Sequence, residues 1–343
     1  MKQLLNTLYI LSDDLYLSLD GENVVANRAG QVLARYPLHT LQGIVTFSYA
    51  GASPALMGAC AKRQIGLAFC TPRGRFLARV TGGDAGNVLL RRAQYRLADD
   101  PAGSCAVSRA MIFGKLYNAR ASVARAARDH ALRVDLPRLE AACRQLQDLL
   151  PQVKAETQPD RLRGLEGVGS SAYFGVFDQL ILNPEEAFRF TVRSRRPPLD
   201  AVNALLSFAY SLLAQDCASA LESVGLDPYV GFLHRDRPGR TSLALDLMEE
   251  LRPCMADRFV LTLINQRQMK AADFLYMESG AVLLTDDGRK AFLKNWQEKK
   301  KETLTHPYLG EKLQWGMIPY IQALLLARYL RGDLDAYPPF LWK

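Results

Sequence analysis

Alternating hydrophobic and polar positions over the first eighty residues predict short β-strands. The clearest case is residues 15–19, where leucine occupies every second position and turn residues follow at 20–23. Residues 24–26 can return as the second arm of a β-hairpin. Ser53 and Pro54 have the pattern of a helix start, with a capping hydroxyl and a first-turn proline. Further strands are predicted at residues 31–36, 43–47, 65–69 and 76–80. We therefore expect a small N-terminal β domain at residues 1–83.

The pattern changes after the glycine pair at residues 82–83, where apolar residues begin to recur every three or four positions. One interruption, at residues 274–277 and 281–284, is typical of a β-hairpin. Helices are predicted at residues 87–99, 104–130, 136–155, 161–182, 201–224, 242–265, 286–301 and 317–331. The predicted fold class is α+β, with the β domain followed by a large, mostly α-helical catalytic domain at residues 84–343 that contains one β-hairpin.

The sequence does not predict a membrane protein. The first residues lack the apolar core and small-residue cleavage site of a signal peptide. The longest uncharged apolar stretch, residues 201–214, is shorter than the roughly 20 residues that a membrane helix needs. We expect a cytoplasmic protein without a membrane partner. The 43 Lys and Arg exceed the 35 Asp and Glu, which gives a formal charge of +8 and favours an anionic partner of unspecified class.

Glu166 is the only charged residue between positions 164 and 177, a segment rich in glycine. Glycine weakens a helix, so several glycines in one helical segment indicate close approach of another backbone or a ligand. A single carboxylate among small residues suits a metal ligand. The alternative is a glutamate near a helix start that is stabilised by the helix dipole.

His234 ends an apolar run and leads into a turn that holds Arg235, Arg237 and Arg240. Guanidinium groups match phosphate oxygens, so this pattern could place a metal-bound histidine beside a phosphodiester. A structural histidine at a strand end is the alternative.

Carboxylates also cluster in the segment that begins at residue 243. On a helix, Asp246 lies three residues from Glu249 and four from Glu250, so the three share one face. The alternative is an ordinary solvated acidic face. Together with Glu166 and His234, these residues compose a set of oxygen ligands and one imidazole, which favours Mg²⁺ or Mn²⁺ over zinc. Such a metal can polarise a phosphate and activate a hydroxyl.

The order of the three segments is more informative than any one of them. They are LEG at residues 165–167 with Tyr173 and Phe174, GLDPYVGFLH at 225–234, and LDLMEELRP at 245–253. These segments resemble the core motifs of the CRISPR-associated integrase family Cas1. The resemblance runs almost end to end, and residues 53–57, 87–96 and 337–343 resemble its subtype I-C (Dvulg).

The resemblance implies the fold and the reaction of this family. It implies an N-terminal domain that forms a homodimer, a helical catalytic domain, and a small partner protein, Cas2. The family joins the 3′-hydroxyls of a short foreign DNA, the prespacer, to the leader-repeat end of a CRISPR array, with associated endonuclease activity. Glu166, His234 and Glu249 would be the metal ligands, and Asp246 would support the site. The subtype adds a Cas4 nuclease to the candidate partners.

Basic residues and one tyrosine become candidates for contact with double-stranded DNA. Contacts to phosphate position DNA without reading its sequence. The candidates are Tyr173, Arg91, Arg92, Arg96, Lys115, Arg120, Arg193, Arg195, Arg196, Arg235, Arg237 and Arg240. Two other functions remain open at this stage: a stand-alone, metal-dependent, structure-specific DNA nuclease, and a non-catalytic DNA-binding scaffold.

Overall fold

The computed structural model describes residues 7–12, 14–41, 43–71, 76–80 and 88–342. The chain forms two compact units, the first containing Met1–Ala85 and Asp286–Glu302, and the second Gly86–Thr285 and Thr303–Lys343. The predicted boundary between residues 83 and 84 lies outside the described residues. The division of dimerisation and catalysis between the two domains stays a prediction.

The described strands of the first unit are β1 Thr7–Ile10, β2 Tyr16–Asp20, β3 Asn23–Arg28, β4 Gln31–Pro37, β5 Gly43–Thr46, β6 Gly66–Cys70 and β7 Phe76–Val80. They form two sheets. In the three-stranded sheet, β2 and β3 form the predicted hairpin and β4 is antiparallel to β3. The other sheet has the order β1-β5-β6-β7, in which β1, β5 and β6 are parallel and β7 is antiparallel to β6. Strand β1 was not predicted from the sequence.

Among its described residues, the first unit contains two α-helices. Helix α1 spans Pro54–Lys62, and Ser53 caps it by accepting a hydrogen bond from the backbone N–H of Leu56 at 3.2 Å, which confirms the predicted cap. Residues 286–301, assigned to the second domain from the sequence, are a helix that clusters with the first unit instead. The side chain of Gln297 on this helix donates to the carbonyl of Thr7 at 2.8 Å. Apolar periodicity identifies the buried face of a helix but not the partner that covers it.

The second unit is mostly helical, as predicted, and holds two short antiparallel strand pairs. Its elements, with the first-unit helix α9 included to keep chain order, are α2 Val88–Asp99, α3 Pro101–Asp129, α4 Leu136–Ala155, α5 Pro159–Phe174, α6 Ala201–Ser223, α7 Ser242–Glu249, α8 Arg258–Asn265, β8 Phe274–Tyr276, β9 Val282–Leu284, α9 Asp286–Lys301, β10 Thr303–Thr305, β11 Lys312–Gln314 and α10 Ile318–Leu330. The predicted hairpin is β8–β9. The second pair, β10–β11, corrects the prediction of one hairpin, and three-residue strands are too short to give an alternation signal.

The predicted helix at residues 242–265 is interrupted in the structure. Helix α7 ends at Glu249, a π-helical turn occupies Arg252–Asp257, and α8 follows. Pro253 has no backbone N–H and its ring clashes with the carbonyl four residues earlier, which favours a break or a kink at this point. The widened turn begins at Arg252, two residues beyond Glu250 and close to the acidic end of α7.

Helix α6 contains the uncharged stretch at residues 201–214 and extends to Ser223, which makes it long and apolar enough to cross a membrane by length and composition alone. In its most apolar 18-residue stretch, 61% of the residues are buried inside the structure. Its N-terminus is capped by Asp200, which accepts from the backbone N–H of Asn203 at 2.7 Å. Most residues of this stretch therefore pack inside the protein.

Candidate functional site

Three separate segments of the second unit meet around the side chain of Lys115. Lys115 lies on α3, and its Nζ forms ion pairs with Glu166 on α5 and with Glu249 on α7, the latter at 2.8 Å. The Nε2 of His234 lies 3.9 Å from Glu249 Oε1. The structure therefore brings together the three residues that the sequence selected as metal ligands. We call Glu166, His234 and Glu249 the candidate metal centre.

Asp246 holds the histidine of this centre in place. Its carboxylate accepts hydrogen bonds from the backbone N–H groups of Phe232, Leu233 and His234 at 2.6, 2.9 and 3.0 Å. Its Oδ1 also lies 2.5 Å from Nδ1 of the His234 ring. Because a carboxylate accepts hydrogen bonds, this contact favours the neutral tautomer with the proton on Nδ1 and the lone pair on Nε2. A carboxylate that orients an imidazole in this way is the usual arrangement behind a metal-ligating histidine.

Gly231 allows the loop to approach Asp246 closely. A Cβ at this position would lie 2.8 Å from the Cβ of Ser242 and 2.9 Å from both Asp246 Oδ2 and the carbonyl oxygen of His234. None of these distances is a normal van der Waals contact. The glycine in the apolar run before His234 is thus required by packing around the anchoring carboxylate.

Glu249 is 3% exposed and is surrounded by cations. Burial alone would raise its pKa, but the positive charges of Arg252 and Lys115 outweigh burial and lower the pKa to about 2. Arg252 contacts Glu249 Oε1 at 3.1 Å. Glu249 is therefore an anion throughout the physiological range, as a metal-ligating carboxylate must be.

The donor set fits a hard divalent cation. Two carboxylates and one imidazole suit Mn²⁺ or Mg²⁺, and the tautomer that Asp246 imposes on His234 leaves Nε2 able to ligate. Over the described ranges of the chain, no three His, Cys, Asp or Glu side chains lie close enough to form a ready-made metal cluster. At the candidate metal centre, the Lys115 ammonium forms ion pairs with both carboxylates.

Of the glycines around Glu166, one has a clear packing role. A Cβ on Gly169 would lie 2.3 Å from Leu116 Cδ2 on α3, whereas Gly164 and Gly167 have nothing within 4 Å. Close approach of α3 and α5 at Gly169 places Lys115 against Glu166. The glycine-rich segment thus correctly indicated a close approach of another helix. This explanation applies to Gly169 but not to Gly164 or Gly167.

The predicted DNA contacts differ in their exposure. Lys115 is 8% exposed and Tyr173 is 3% exposed, so neither side chain lies on an open surface, and their assignment as DNA contacts stays a prediction. Arg193 is half-buried, stacks on Tyr210 and donates to Asn203 Oδ1 at 2.7 Å. Arg91, Arg120 and Arg240 are half-buried, while Arg92, Arg96, Arg195, Arg196, Arg235 and Arg237 are exposed.

A buried polar cluster behind the centre was missed by the sequence analysis. Arg252 stacks on the Tyr210 ring with its Cζ 4.9 Å from the centroid, and the Tyr210 hydroxyl donates to Asp257 Oδ1 at 2.6 Å. Burial raises the pKa of Asp257 to about 6, although the hydrogen bond from Tyr210 and the charges of Arg193 and Arg252 lower it. Arg252 lies three residues after Glu249, and this helical spacing is the one sequence signal that could have found it.

Glu250, which had no predicted role, anchors the C-terminal segment. It is fully buried and accepts from the Tyr337 hydroxyl at 2.5 Å, from Gln322 Nε2 at 2.8 Å and from the Phe340 backbone N–H at 2.9 Å. Burial raises its pKa to about 7, against the lowering effect of these hydrogen bonds. Adjacent glutamates on one short helix thus have different roles, one at the candidate metal centre and one in the core.

Comparison with known proteins identifies the family. The family model described as CRISPR associated protein Cas1 matches residues 8–298. The chain is 54% identical to CRISPR-associated endonuclease Cas1 2 of Rhodospirillum rubrum and 48% identical to CRISPR-associated endonuclease Cas1 1 of Chlorobaculum tepidum, with the full length of both chains covered in each case. It is also 34% identical, over 98% of its length and 60% of the relative's, to a Cas4 exonuclease/Cas1 endonuclease fusion of Geobacter sulfurreducens.

Solved structures share the fold at low sequence identity. A casposase bound to integration product matches with a TM-score of 0.81 and 22% identity, covering 100% of this chain and 95% of that one. A Cas6-RT-Cas1–Cas2 complex matches with a TM-score of 0.82 and 22% identity, covering 100% of this chain and 36% of that one. The predicted α+β fold and the predicted enzyme class, a CRISPR-associated endonuclease and integrase, are confirmed. The chain belongs to the CRISPR-associated Cas1 family.

Proposed function

We propose that this protein joins prespacer 3′-hydroxyls to the leader-repeat end of a CRISPR array through a metal centre formed by Glu166, His234 and Glu249. The observation that chiefly supports the proposal is the meeting of these three side chains from α5, the 231–234 loop and α7. The identity of the chain to named Cas1 endonucleases over their full length supports it independently.

Glu166, His234 Nε2 and Glu249 would hold Mg²⁺ or Mn²⁺. When bound, the metal would supply Lewis-acid polarisation of the scissile phosphate. Asp246 keeps His234 in the ligating tautomer, and Arg252 keeps Glu249 oriented and ionised. The burial of Asp246 and Glu249 limits access of water to the ligand side chains.

The reaction exchanges one phosphodiester for another. The oxygen of the incoming 3′-hydroxyl bonds to the phosphorus, the bond from phosphorus to the old 3′-oxygen breaks, and the proton passes from the attacking to the leaving oxygen through solvent. Because the bonds made and broken are of one kind, no nucleotide cofactor is needed. Water in place of the hydroxyl converts the same reaction into endonucleolytic cleavage.

The exposed arginines next to the centre are the proposed phosphate contacts. Arg235 and Arg237 follow His234 directly in the chain, and both are exposed. Arg235 pairs with Asp160 at 3.1 Å in an exposed salt bridge, which contributes little to stability and can be exchanged for a phosphate. The bound partner would be double-stranded DNA, both as prespacer and as leader-repeat.

The proposed assembly is a cytoplasmic homodimer that works with Cas2. Support comes from a structural neighbour that is a Cas6-RT-Cas1–Cas2 complex. A relative in which a Cas4 exonuclease is fused to the Cas1 endonuclease supports a Cas4 nuclease as a further partner. The motifs at residues 53–57 and 337–343 support the subtype I-C (Dvulg).

Strand transfer of a short duplex into a leader-repeat substrate in Mn²⁺ tests the proposal. His234→Ala should lose at least 100-fold in joined product, whereas the matched control His130→Ala, at the end of α3, should retain full activity. Full joining by His234→Ala would refute the assigned centre. Cut substrate without joined product in the wild type would instead support a stand-alone nuclease.

A further inference from the structure

The Lys115 ammonium occupies the position at which the two carboxylates of the candidate metal centre face each other. Its side chain is 10% exposed, and it contacts Glu166 Oε1 and Glu249 Oε2. Ser170 Oγ also donates to Glu166 Oε1, at 2.7 Å. Arg252 contacts the other oxygen of Glu249, at 3.1 Å. Glu166 Oε1 thus accepts from both Lys115 and Ser170, whereas buried Glu249 Oε2 has the ion pair with Lys115 but no hydrogen bond.

A cation is required at this position. Glu249 is buried and Glu166 is partly buried, and two carboxylates that share a site with little water repel each other unless a positive charge lies between them. Lys115 supplies this charge from α3, and the close contact of Gly169 with Leu116 keeps α3 near α5. A divalent metal would meet the same requirement at the same oxygens.

An ammonium and a divalent cation at one pair of oxygens exclude each other. Both compete for the same lone pairs, and their charges repel strongly at the short distance that shared ligation imposes. The pocket beside Lys115 is lined by Ser170, Tyr210 and Asp257 and also by Arg195 and Arg252. The two guanidinium groups add further positive charge next to the centre, which favours a single cation at the shared oxygens.

We propose that Lys115 is an internal counter-cation that occupies the centre in the absence of metal and is displaced when a divalent metal binds. This inference rests on the proposed metal centre. The exchange makes and breaks no covalent bond, since an ammonium and a metal ion change places on the same carboxylates. In the absence of metal, the ion pairs of Lys115 with Glu166 and Glu249 stabilise the centre. Because the lysine and the metal compete for the same carboxylates, Lys115 weakens metal binding.

Calorimetric titration with Mn²⁺ on Lys115→Met tests the competition. The variant keeps the length of the side chain without its charge, and Lys154→Met, at an exposed position on α4, is the matched control. We expect Lys115→Met to bind Mn²⁺ at least tenfold more tightly than the wild type and to melt at a lower temperature in chelator, with Mn²⁺ raising its melting temperature more than that of the wild type. An affinity equal to or weaker than the wild type would overturn the inference.

A measurement on the wild type keeps the inference testable if Lys115→Met fails to fold. Trace acetylation with acetic anhydride, read by mass spectrometry, reports the accessibility of each lysine. Mn²⁺ should raise the acetylation rate of Lys115 at least threefold and leave that of Lys154 unchanged. An unchanged or lower rate at Lys115 would overturn the displacement.

Failure of the inference can be distinguished from failure of the proposed function. If Mn²⁺ binding is lost in Glu249→Ala but unchanged in Lys115→Met, the metal centre stands and the exchange with Lys115 is wrong. If neither the wild type nor Lys115→Met binds Mn²⁺, the metal centre itself is wrong and the inference falls with it.

Discussion

The Nδ1 of His234 lies 2.5 Å from Oδ1 of Asp246, and the same carboxylate accepts three consecutive backbone N–H groups of the loop that carries the histidine. One fully buried side chain thus determines the loop conformation, the ring orientation and the tautomer. Asp246 acts through His234 and has no contact with Glu166 or Glu249 of its own in the described contacts.

Replacement of Asp246 by Asn should weaken metal binding without removing a ligand. The amide has one acceptor oxygen in place of two, so buried N–H groups of the loop lose partners, at a cost of about 1–3 kcal/mol. Loss of an outer partner of a ligating histidine typically costs 10- to 100-fold in metal affinity. Calorimetry with Mn²⁺ measures the second effect, and Asp236→Asn, on the exposed loop, is the control. Equal Mn²⁺ affinity in Asp246→Asn and wild type would contradict the role given to Asp246.

Gly231→Ala should disturb the contact between Asp246 and the loop that carries His234. The added Cβ would meet the Cβ of Ser242 at 2.8 Å and Asp246 Oδ2 at 2.9 Å, and overpacking of this kind costs about 1–3 kcal/mol. Gly167→Ala is the control, because it adds a methyl group in open space within α5, where replacing glycine is expected to stabilise by about 0.5–1 kcal/mol. Urea denaturation measures the free energy of unfolding of both variants. We expect Gly231→Ala to lower it and Gly167→Ala to raise it. An unchanged free energy of unfolding in Gly231→Ala would show that the loop relaxes without cost.

Tyr337→Phe should destabilise the protein through Glu250. The variant removes the hydroxyl that donates to buried Glu250 Oε1 at 2.5 Å and accepts from Gln322 Nε2 at 2.9 Å. Loss of one partner of a buried hydrogen-bonded group costs about 1–3 kcal/mol. Tyr308→Phe is the control, since Tyr308 is 53% exposed. Equal unfolding free energies for the two variants would contradict the anchoring role of Glu250.

The three proposed ligands could be selected from the sequence because each is embedded in a recognisable segment in a fixed order. The residues around these ligands could not be selected in the same way. Lys115 lies on a different helix, and Arg252 and Asp257 lie in the π-helical turn that interrupts the predicted helix after α7. The pattern of α7 placed Glu249 and Glu250 on one polar face opposite leucines. In the structure both are buried, because a helix enclosed on all sides has no solvated face and each carboxylate needs its own partners.

The strands and helices were predicted well where periodicity extends over several turns or residues. Strand β7 was predicted at its observed bounds, and α4 likewise. The short strands β1, β10 and β11 were missed because three or four residues carry little pattern. The break after Glu249 was missed although Pro253 is visible in the sequence, because apolar periodicity continues on both sides of it.

Asp257 should give the protein a pH-dependent stability. Burial raises its pKa from the ordinary value of 3.8 to about 6, and the ionisable groups that face it are Tyr173, Tyr210, Arg193 and Arg252. A carboxyl with a raised pKa in the folded state stabilises fully below about pH 4, and this contribution is lost as the pH rises through 6. The shift corresponds to roughly 3 kcal/mol at about 1.4 kcal/mol per unit.

The change Asp257→Asn removes this ionisation. Its unfolding free energy, measured in urea at pH 4.5 and 7.5, should decrease less between the two pH values than that of the wild type. Asp335→Asn, at an exposed position near the C-terminus, should keep the wild-type pH dependence. An unchanged pH dependence in Asp257→Asn would show that Asp257 remains ionised in the folded protein across this range.

Exposed and half-buried arginines should differ in their effect on DNA binding. Arg237 is exposed on the loop after His234, whereas Arg193 stacks on Tyr210 and donates to Asn203 and Ser207. Each phosphate contact contributes about 0.9 to the slope of log affinity against log salt concentration. Arg237→Ala should therefore reduce that slope by about one in a duplex-binding titration. Arg193→Ala should leave the slope unchanged and lower the melting temperature instead, because its guanidinium is engaged within the protein. A reduced slope for Arg193→Ala with an unaltered melting temperature would reverse these assignments and place Arg193, and not Arg237, at the DNA.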